Sequence, residues 1–458
     1  MVSERSDRPR PYRPRADRPR ADRPRPARSR PYRTRGKAMV AGAALLALVA
    51  AGCGGAGEDG AGEPVPGITE APCPKPVNKE HGCIYLGTIS DLTAGPFRLL
   101  GGPLTRAQQA FWDRVNKDGG IGGYDIDVRT YVRDNKYDPA THRRAYLEIK
   151  DKVLALAQSL GSPTTGAILN DLRANRMIAV PASYPSKWEF ENVILEAGAS
   201  YCFEAMNAVD YAVDNFKAES AMAIYFPGDY GGDAAAGAKI AANARGLSYA
   251  ELPTKQGADG QEAAIAAILE RKPDVVVLTT GPVEAATIVA KTVQAGFQGQ
   301  FMGSNPTWGK DMLRAPSFPV MKAKFWYVAP WKPFAYDSPG NTAMRQAVGR
   351  VEPDDSYATG WITSYALQTV LEKAAANKNL TRDGVYEALG QVTTVDYEGM
   401  LPAQAGNFSG TPNSAAFRQS VMSRPDEREY TGTRVITDFY AGPTARNHRL
   451  DTPCYNPK

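Results

Sequence analysis

Asp274-Val275-Val276-Val277-Leu278-Thr279 is the stretch on which the fold turns. A run this short, this apolar and this rich in β-branched residues fits a strand covered on both faces, as in a parallel sheet. Its flanks say the same. Residues 263–271 and 282–295 have helical apolar spacing, and Phe301–Gly303 is a further short strand. Working back toward the N-terminus, the rhythm repeats. Ala221–Tyr225 reads as a strand and Ala234–Ala244 as an Ala-rich helix. Earlier still, Cys83–Ile89 is a strand, 102–117 a helix stopped by Gly119-Gly120, and Tyr124–Tyr131 an alternating strand. Residues 138–156 read as a helix, Val153–Leu160 as either a helix end or a strand, and Met177–Val180 as a strand. Repeated β-α units imply parallel sheets with helices on both faces.

In such sheets a ligand lies beyond the carboxyl ends of the strands. The loops there are Ser90–Leu100, Gly161–Gly166, Pro181–Ser186, Pro227–Gly232, Thr279–Val283 and Ser304–Trp308. These loops are expected to line any site.

The same loops carry a resemblance. Ser90-Asp91-Leu92-Thr93-Ala94-Gly95-Pro96, Asn116-Lys117-Asp118-Gly119-Gly120-Ile121-Gly122-Gly123 and Asp134-Asn135-Lys136-Tyr137-Asp138-Pro139 follow one another in order. Gly161-Ser162-Pro163-Thr164-Thr165, Asp229-Tyr230-Gly231, Phe301-Met302-Gly303 and Trp361–Ala366 come after them. Taken together, residues from about 83 to 440 resemble the type I periplasmic binding proteins of the leucine/isoleucine/valine-binding family. The resemblance implies an α/β fold of two doubly wound parallel-sheet lobes joined by a three-segment hinge. Lobe one is expected at 81–204 plus 331–391, and lobe two at 205–330 plus 392–458. It also implies hinge closure over a small organic ligand, an ABC transporter permease as partner, and no cofactor.

Site residues follow loop by loop. Ser162, Thr164 and Thr165 offer hydroxyls and N–H groups at an expected helix start, a place that favours a carboxylate and equally suits simple capping. Ser183 and Tyr184 fall on the loop that holds an amino acid's ends in the family, where turn chemistry is the plainer account. Tyr230 matches a ligand-contacting tyrosine. Two residues past Phe-Met-Gly, amino-acid-binding members carry an acid that pairs with the ligand ammonium; here the residue is Asn305. An amide lacks the charge that a buried ammonium needs. A family tyrosine falls near Gly281 or Pro282, and a first-loop aromatic falls on Leu100. Trp308 or Tyr184 could restore aromatic surface, although Trp308 suits the core as well; Asp229 or Glu284 could restore charge. These departures point toward an amide, an amine-free carboxylate or an aromatic acid as much as toward an amino acid.

The start of the chain sets the compartment. Residues 6–35 are Arg, Pro, Asp and Ala with almost nothing apolar, too poor in hydrophobic residues to build a core. Of the 54 Lys and Arg, 14 fall in residues 1–37, beside 4 of the 49 acids; the remaining 40 bases face 45 acids. The basic character is confined to the leader, and a nucleic-acid role for the rest is not indicated. Met39–Ala51 is an apolar core too short to span a bilayer, preceded by Arg33, Arg35 and Lys37 and followed by Gly52-Cys53. Val49-Ala50-Ala51-Gly52-Cys53 resembles a bacterial lipobox, with Ala50 where Leu is usual. Residues 1–52 therefore read as a basic leader plus lipoprotein signal peptide, Cys53 as the lipidated residue, and 53–80 as a flexible tether. The folded part is expected on the outer face of the cytoplasmic membrane, as a monomer.

Four further cysteines remain: Cys73, Cys83, Cys202 and Cys454. An even number in an exported chain suggests two disulfides, with three possible pairings. The short loop Cys73–Cys83, together with Cys202–Cys454, is the favoured one. No CxxC or neighbouring His pair suits zinc. GxSxG, HExxH and P-loop patterns are absent, and His81, His142 and His448 show no Ser or Cys partner in the sequence; His142 is expected on a surface helix face. A binding protein is thus expected rather than an enzyme. The alternative is a ligand-sensing lipoprotein of the same fold acting on a membrane receptor.

Overall fold

The computed structural model describes residues 65–352, 354–429 and 431–456; the leader, the signal peptide and Cys53 lie outside them. In chain order the elements are β1 (Ile68–Thr69), β2 (Gly82–Ser90), α1 (Arg98–Lys117), β3 (Tyr124–Asp127), β4 (Val132–Asp134), α2 (Pro139–Ile149), β5 (Ala155–Ser159), α3 (Ser162–Gly166), α4 (Leu169–Ala174) and β6 (Ala179–Pro181). Then come α5 (Tyr201–Phe216), β7 (Ser220–Tyr225), α6 (Asp229–Arg245), β8 (Ser248–Pro253), α7 (Glu262–Arg271), β9 (Val275–Thr279), α8 (Pro282–Gln294), β10 (Gln300–Gly303), α9 (Phe318–Lys324) and β11 (Phe325–Ala329). The chain continues with α10 (Pro339–Val348), α11 (Ser356–Ala376), α12 (Arg382–Leu389), α13 (Pro412–Ala415), β12 (Ser420–Pro425), β13 (Thr433–Tyr440) and α14 (Pro443–Asn447).

Strands β1 to β6 form one sheet around β2, and the other seven form a second in the order β13-β12-β11-β10-β9-β7-β8. The chain passes three times between these layers: between β6 and β7, after β11, and between α12 and β12. β9 behaves as its composition demands. Val275 and Val277 face the core shared with α5 and α6, while Val276 and Leu278 face a second cluster with Ile288 and Phe325. Burial of each such side chain is worth about 2 kcal/mol.

Three expectations are corrected. The sheets are mixed rather than purely parallel, because β1 pairs antiparallel with β2, and β11, β12 and β13 pair antiparallel in turn. The strand expected over 124–131 ends at Asp127, where a turn begins, and a separate short strand, β4, follows at Val132–Asp134; both pair with β2. The helix expected over 138–156 ends at Ile149, and the ambiguous segment after it is the strand β5. The start of α2 needs no tertiary help: Asp138 accepts the Thr141 N–H at 2.7 Å and Pro139 follows.

Residues 65–80, expected as the end of a tether, are held against the first sheet. β1 pairs with β2, the Val77 and Asn78 N–H groups donate to Asp125 at 2.7 and 2.9 Å, and Cys73 is joined to Cys83. The second disulfide joins Cys202 to Cys454, which is the pairing favoured from the spacing. The Gly-rich turn after α1 requires glycine at Gly120, whose φ is +67° and where a Cβ would meet the Tyr124 carbonyl oxygen at 2.1 Å.

Candidate functional site

The β-strand ends of both sheets converge on one cavity. The start of α1 supplies Phe97, Leu100 and Leu104, and the loop before α2 supplies Tyr137. Leu160, Gly161 and Ser162 follow β5, while Ala182, Ser183 and Tyr184 follow β6. Tyr201 begins α5 and Tyr230 lies in the first turn of α6. Asn305, Pro306 and Trp308 come after β10, Tyr327 from β11, and Asp355, Ser356 and Thr359 from the start of α11. The cavity offers about 60 Å³ to the centres of water-sized molecules, room for several waters or a small organic group.

The walls are built from edge-on and tilted aromatic contacts. Phe97 meets Tyr137 at 4.9 Å and Tyr230 at 6.1 Å between ring centres; Tyr184 meets Tyr201 at 5.9 Å, and Tyr201 meets Tyr230 at 4.7 Å. Asp91 shapes the first loop by accepting the Gly95 and Phe97 N–H groups at 2.8 and 3.0 Å. Lys136 and Tyr137 both adopt left-handed backbone, with φ of 53° and 56°, and the Tyr137 N–H donates to Asn135 at 2.8 Å. Two such residues in sequence store local strain at the cavity edge.

Six residues expected from the sequence are gathered here: Ser162, Ser183, Tyr184, Tyr230, Asn305 and Trp308. Their hydrogen bonds separate them. Ser162 Oγ, Tyr184 OH and Trp308 Nε1 are buried without a partner among the described residues. The Tyr230 hydroxyl is engaged with Thr280 O at 3.1 Å and Ser304 Oγ at 2.8 Å, and Ser183 Oγ accepts the Trp188 Nε1–H at 3.4 Å. Asn305 Oδ1 accepts the Tyr327 hydroxyl at 2.9 Å. Trp308 also serves the core, stacked on Phe325 with ring centres 6.2 Å apart.

Three expected site residues do not line the cavity. Thr164 Oγ1 donates to the Leu160 and Gly161 carbonyls, and Thr165 Oγ1 pairs with Ser159 Oγ at 2.7 Å, so both hydroxyls serve the turn itself. Gly281 precedes α8, and a Cβ there would meet the Glu284 carboxylate at 2.6 Å. The Thr279–Val283 loop adds nothing to the lining. Nor do the acids weighed as replacement charges: Asp229 pairs with Lys187, and Glu284 accepts the Gly257 N–H at 2.6 Å. His142 is fully buried rather than on a surface face, between Asn135 Nδ2 at 3.1 Å and Ser159 Oγ at 3.2 Å, and burial pushes its pKa down to about 3. It is a neutral structural ring away from the cavity lining.

Sequence reasoning missed Tyr137, Tyr201, Tyr327 and Asp355. The run Asp354-Asp355-Ser356 before a long apolar helix was a readable cap signal for the last of these. Among the described residues Asp355 is the one carboxyl in the lining, and no Lys or Arg lines it. Its oxygens accept the Phe334 N–H at 2.9 Å and the Thr433 hydroxyl at 3.0 Å, while burial pushes its pKa up to about 7. Burial likewise holds the Tyr184, Tyr201, Tyr230 and Tyr327 hydroxyls well above the usual tyrosine range, so they are neutral donors.

Behind the cavity Asp233 is also raised to about 7, by burial that outweighs donors from Ser186 and the Cys202 N–H. A carboxyl raised on folding binds its proton more tightly in the native state. The stability it contributes is complete below the unfolded pKa of about 4 and is lost as pH rises through about 7. Unfolding midpoints in urea should therefore fall across this window, and keep falling above it because burial also raises Glu189, to about 8, and Asp355→Asn should flatten part of the slope. A midpoint that rises across the same window would contradict protonated burial.

Among the described residues no group of acids, His and Cys is arranged to hold a metal, and no helix is long and apolar enough to cross a membrane. The sequence pattern of the family described as "Periplasmic binding protein" matches residues 84–423. No curated protein matches the chain. Among solved structures, a fatty acid ABC transporter substrate-binding protein from Thermomonospora curvata is similar, with 28% identity and a TM-score of 0.76 over 84% of this chain and 96% of that one. A branched chain amino acid ABC transporter protein from Thermus thermophilus with bound valine aligns at 16% identity and TM-score 0.67, covering 80% and 98%. A leucine binding protein from Thermotoga maritima aligns at 15% and 0.65, covering 78% and 98%. The last two share the fold, at an identity that says nothing about ligand. With three-quarters of its length matched and the mixed-sheet architecture in place, the chain belongs to the periplasmic binding protein family and has its type I fold.

Proposed function

We propose that the chain is an extracytoplasmic substrate-binding protein of an ABC transporter, lipid-anchored at Cys53. It captures a small carboxylic acid or amide with an apolar body between lobe one (81–204, 331–391) and lobe two (205–330, 392–458). One observation carries the ligand class. Ser162, Tyr184 and Trp308 all line one aromatic and aliphatic cavity, and each carries a buried donor (Oγ, OH and Nε1) with no protein partner among the described residues. Such groups cost free energy unless something accepts from them. A carboxylate or amide oxygen is that acceptor, and Phe97, Leu100, Leu104 and Leu160 suit its apolar remainder. The similar protein from Thermomonospora curvata is named for fatty acid transport, which agrees.

A leucine-like amino acid fits less well. Its ammonium needs a full negative charge, Asn305 has none, and Asp355 is raised toward neutrality and already engaged. Closure follows from the same donors: only groups on the second lobe that meet the ligand in the closed state can favour that state.

The test is calorimetric titration with carboxylates, amides and amino acids on the native protein and on the pair Ser162→Ala with Tyr184→Phe. Each lost hydrogen bond to a charged acceptor is worth roughly tenfold or more, so the double variant should bind about a hundredfold more weakly. It should fold at least as stably, because neither hydroxyl has a protein partner. Unchanged affinity would place the ligand elsewhere.

A further inference from the structure

The cavity does not end at its own wall. Outside it lies a second hollow of about 480 Å³ bordered chiefly by the apolar Leu99, Leu100, Pro103, Pro282, Val283 and Met312, and also by the charged Lys310, Asp311 and Asp354. Leu100 belongs to both. The two also meet along consecutive residues: Leu104 and Pro103, Trp308 and Gly309, Asp355 and Asp354 each contribute one residue to the cavity and its neighbour to the groove. The half-buried Leu100 side chain is thus the partition between them.

The groove is an unusual surface for this chain. Leu99 is 48% exposed and Val283 52%, and they are two of the five large hydrophobic side chains that are exposed among the described residues. They come from opposite sides, Leu99 from α1 beside the first sheet and Val283 from α8 beside the second. Apolar side chains from both sides left open to water, next to a cavity whose donors want a carboxyl head, fit one occupant: the tail of the same ligand.

We infer that the groove is a tail subsite. A straight-chain carboxylic acid places its head at Ser162, Tyr184 and Trp308, passes Leu100, and lays its distal methylenes along Leu99, Pro103, Pro282, Val283 and Met312. The inference rests on the carboxylate reading above and extends it to acids longer than the cavity can hold. Opening the passage requires the Leu100 side chain to move aside, and the tail then bridges α1 and α8, so longer ligands hold the two sides together more firmly.

The experiment is calorimetric titration of the purified protein with straight-chain acids from butanoic to dodecanoic. Each methylene that enters the groove should tighten binding about fourfold, continuing beyond the length at which the cavity is full. Val283→Asp should remove the gain for the long acids, with butanoic or hexanoic acid serving as the check that the cavity is intact. Affinity that peaks at a short acid and declines with further length would overturn the tail subsite and leave carboxylate capture standing. An equal loss for short and long acids in the variant would also overturn it. If no acid of the series binds, the carboxylate reading falls, and the subsite with it.

Discussion

Replacing Cys202 and Cys454 together by alanine is expected to lower the unfolding free energy by about 5 kcal/mol. The two cysteines are 252 residues apart, so their bond removes a large share of the conformations open to the unfolded chain. The Cys73–Cys83 bond, across 10 residues, restricts it far less. The longer bond also acts locally. Cys202 follows the cavity residue Tyr201, and the Cys454 N–H donates to Ser186 Oγ at 2.8 Å. Ser186 in turn donates to Asp233, and the Tyr455 ring lies over Gly232 at the start of α6. Losing the bond frees the last residues from this set and removes a restraint from the wall that Tyr201 and Tyr230 form. Denaturant unfolding of the double variant against the oxidised native protein measures the effect. A loss under about 2 kcal/mol would mean that the unfolded chain is already compact without the bond.

Trp361→Ala is expected to cost about 3–5 kcal/mol. Trp361 is fully buried in α11, with its ring edge-on to Phe111 of α1 at 5.1 Å and its Nε1 donating to Tyr365 OH at 2.9 Å. The helices approach so closely that a Cβ at Gly360 would meet the Leu104 carbonyl oxygen at 2.0 Å. Little can move in to fill the space an alanine leaves. The consequence reaches the ligand, because α1 and α11 both begin at the cavity, one with Leu100 and Leu104, the other with Ser356 and Thr359. Denaturant titration reads the stability, and affinity for a bound carboxylate is expected to weaken in the same variant. A cost below about 1 kcal/mol would show that the pair is held by contacts other than this ring.

The architecture was legible where composition left few choices. A strand such as β9, covered on both faces, has to be apolar throughout, and the alternation of such runs with helical spacing named the α/β class before any tertiary contact was known. The β12–β13 hairpin was not legible: its outer strand is half exposed, with Arg434 and Asp438 among its apolar residues, and alternation that weak does not stand out. The site was legible by loop and not by atom. Five of the six predicted loops reach the cavity, yet Thr164 and Thr165 turn their hydroxyls to carbonyls of their own turn. Whether a hydroxyl is engaged locally depends on a backbone path that sequence spacing does not determine. Tyr327 and Asp355 escaped notice because they arrive from a strand and a helix start distant in sequence from the loops that meet them. His142 was misplaced because Asn135 and Ser159, its polar partners, let a helix bury an imidazole on its inner side.

A pocket that grips an acid with neutral donors alone also shapes how the acid gets in. Among the described residues no Lys or Arg lines the cavity, and the chain beyond residue 37 carries five more acids than bases. The surplus of acids repels an anion rather than drawing it in from a distance, so added salt is expected to screen a mild repulsion and leave association no slower. Discrimination among ligands then resides in how long each one stays.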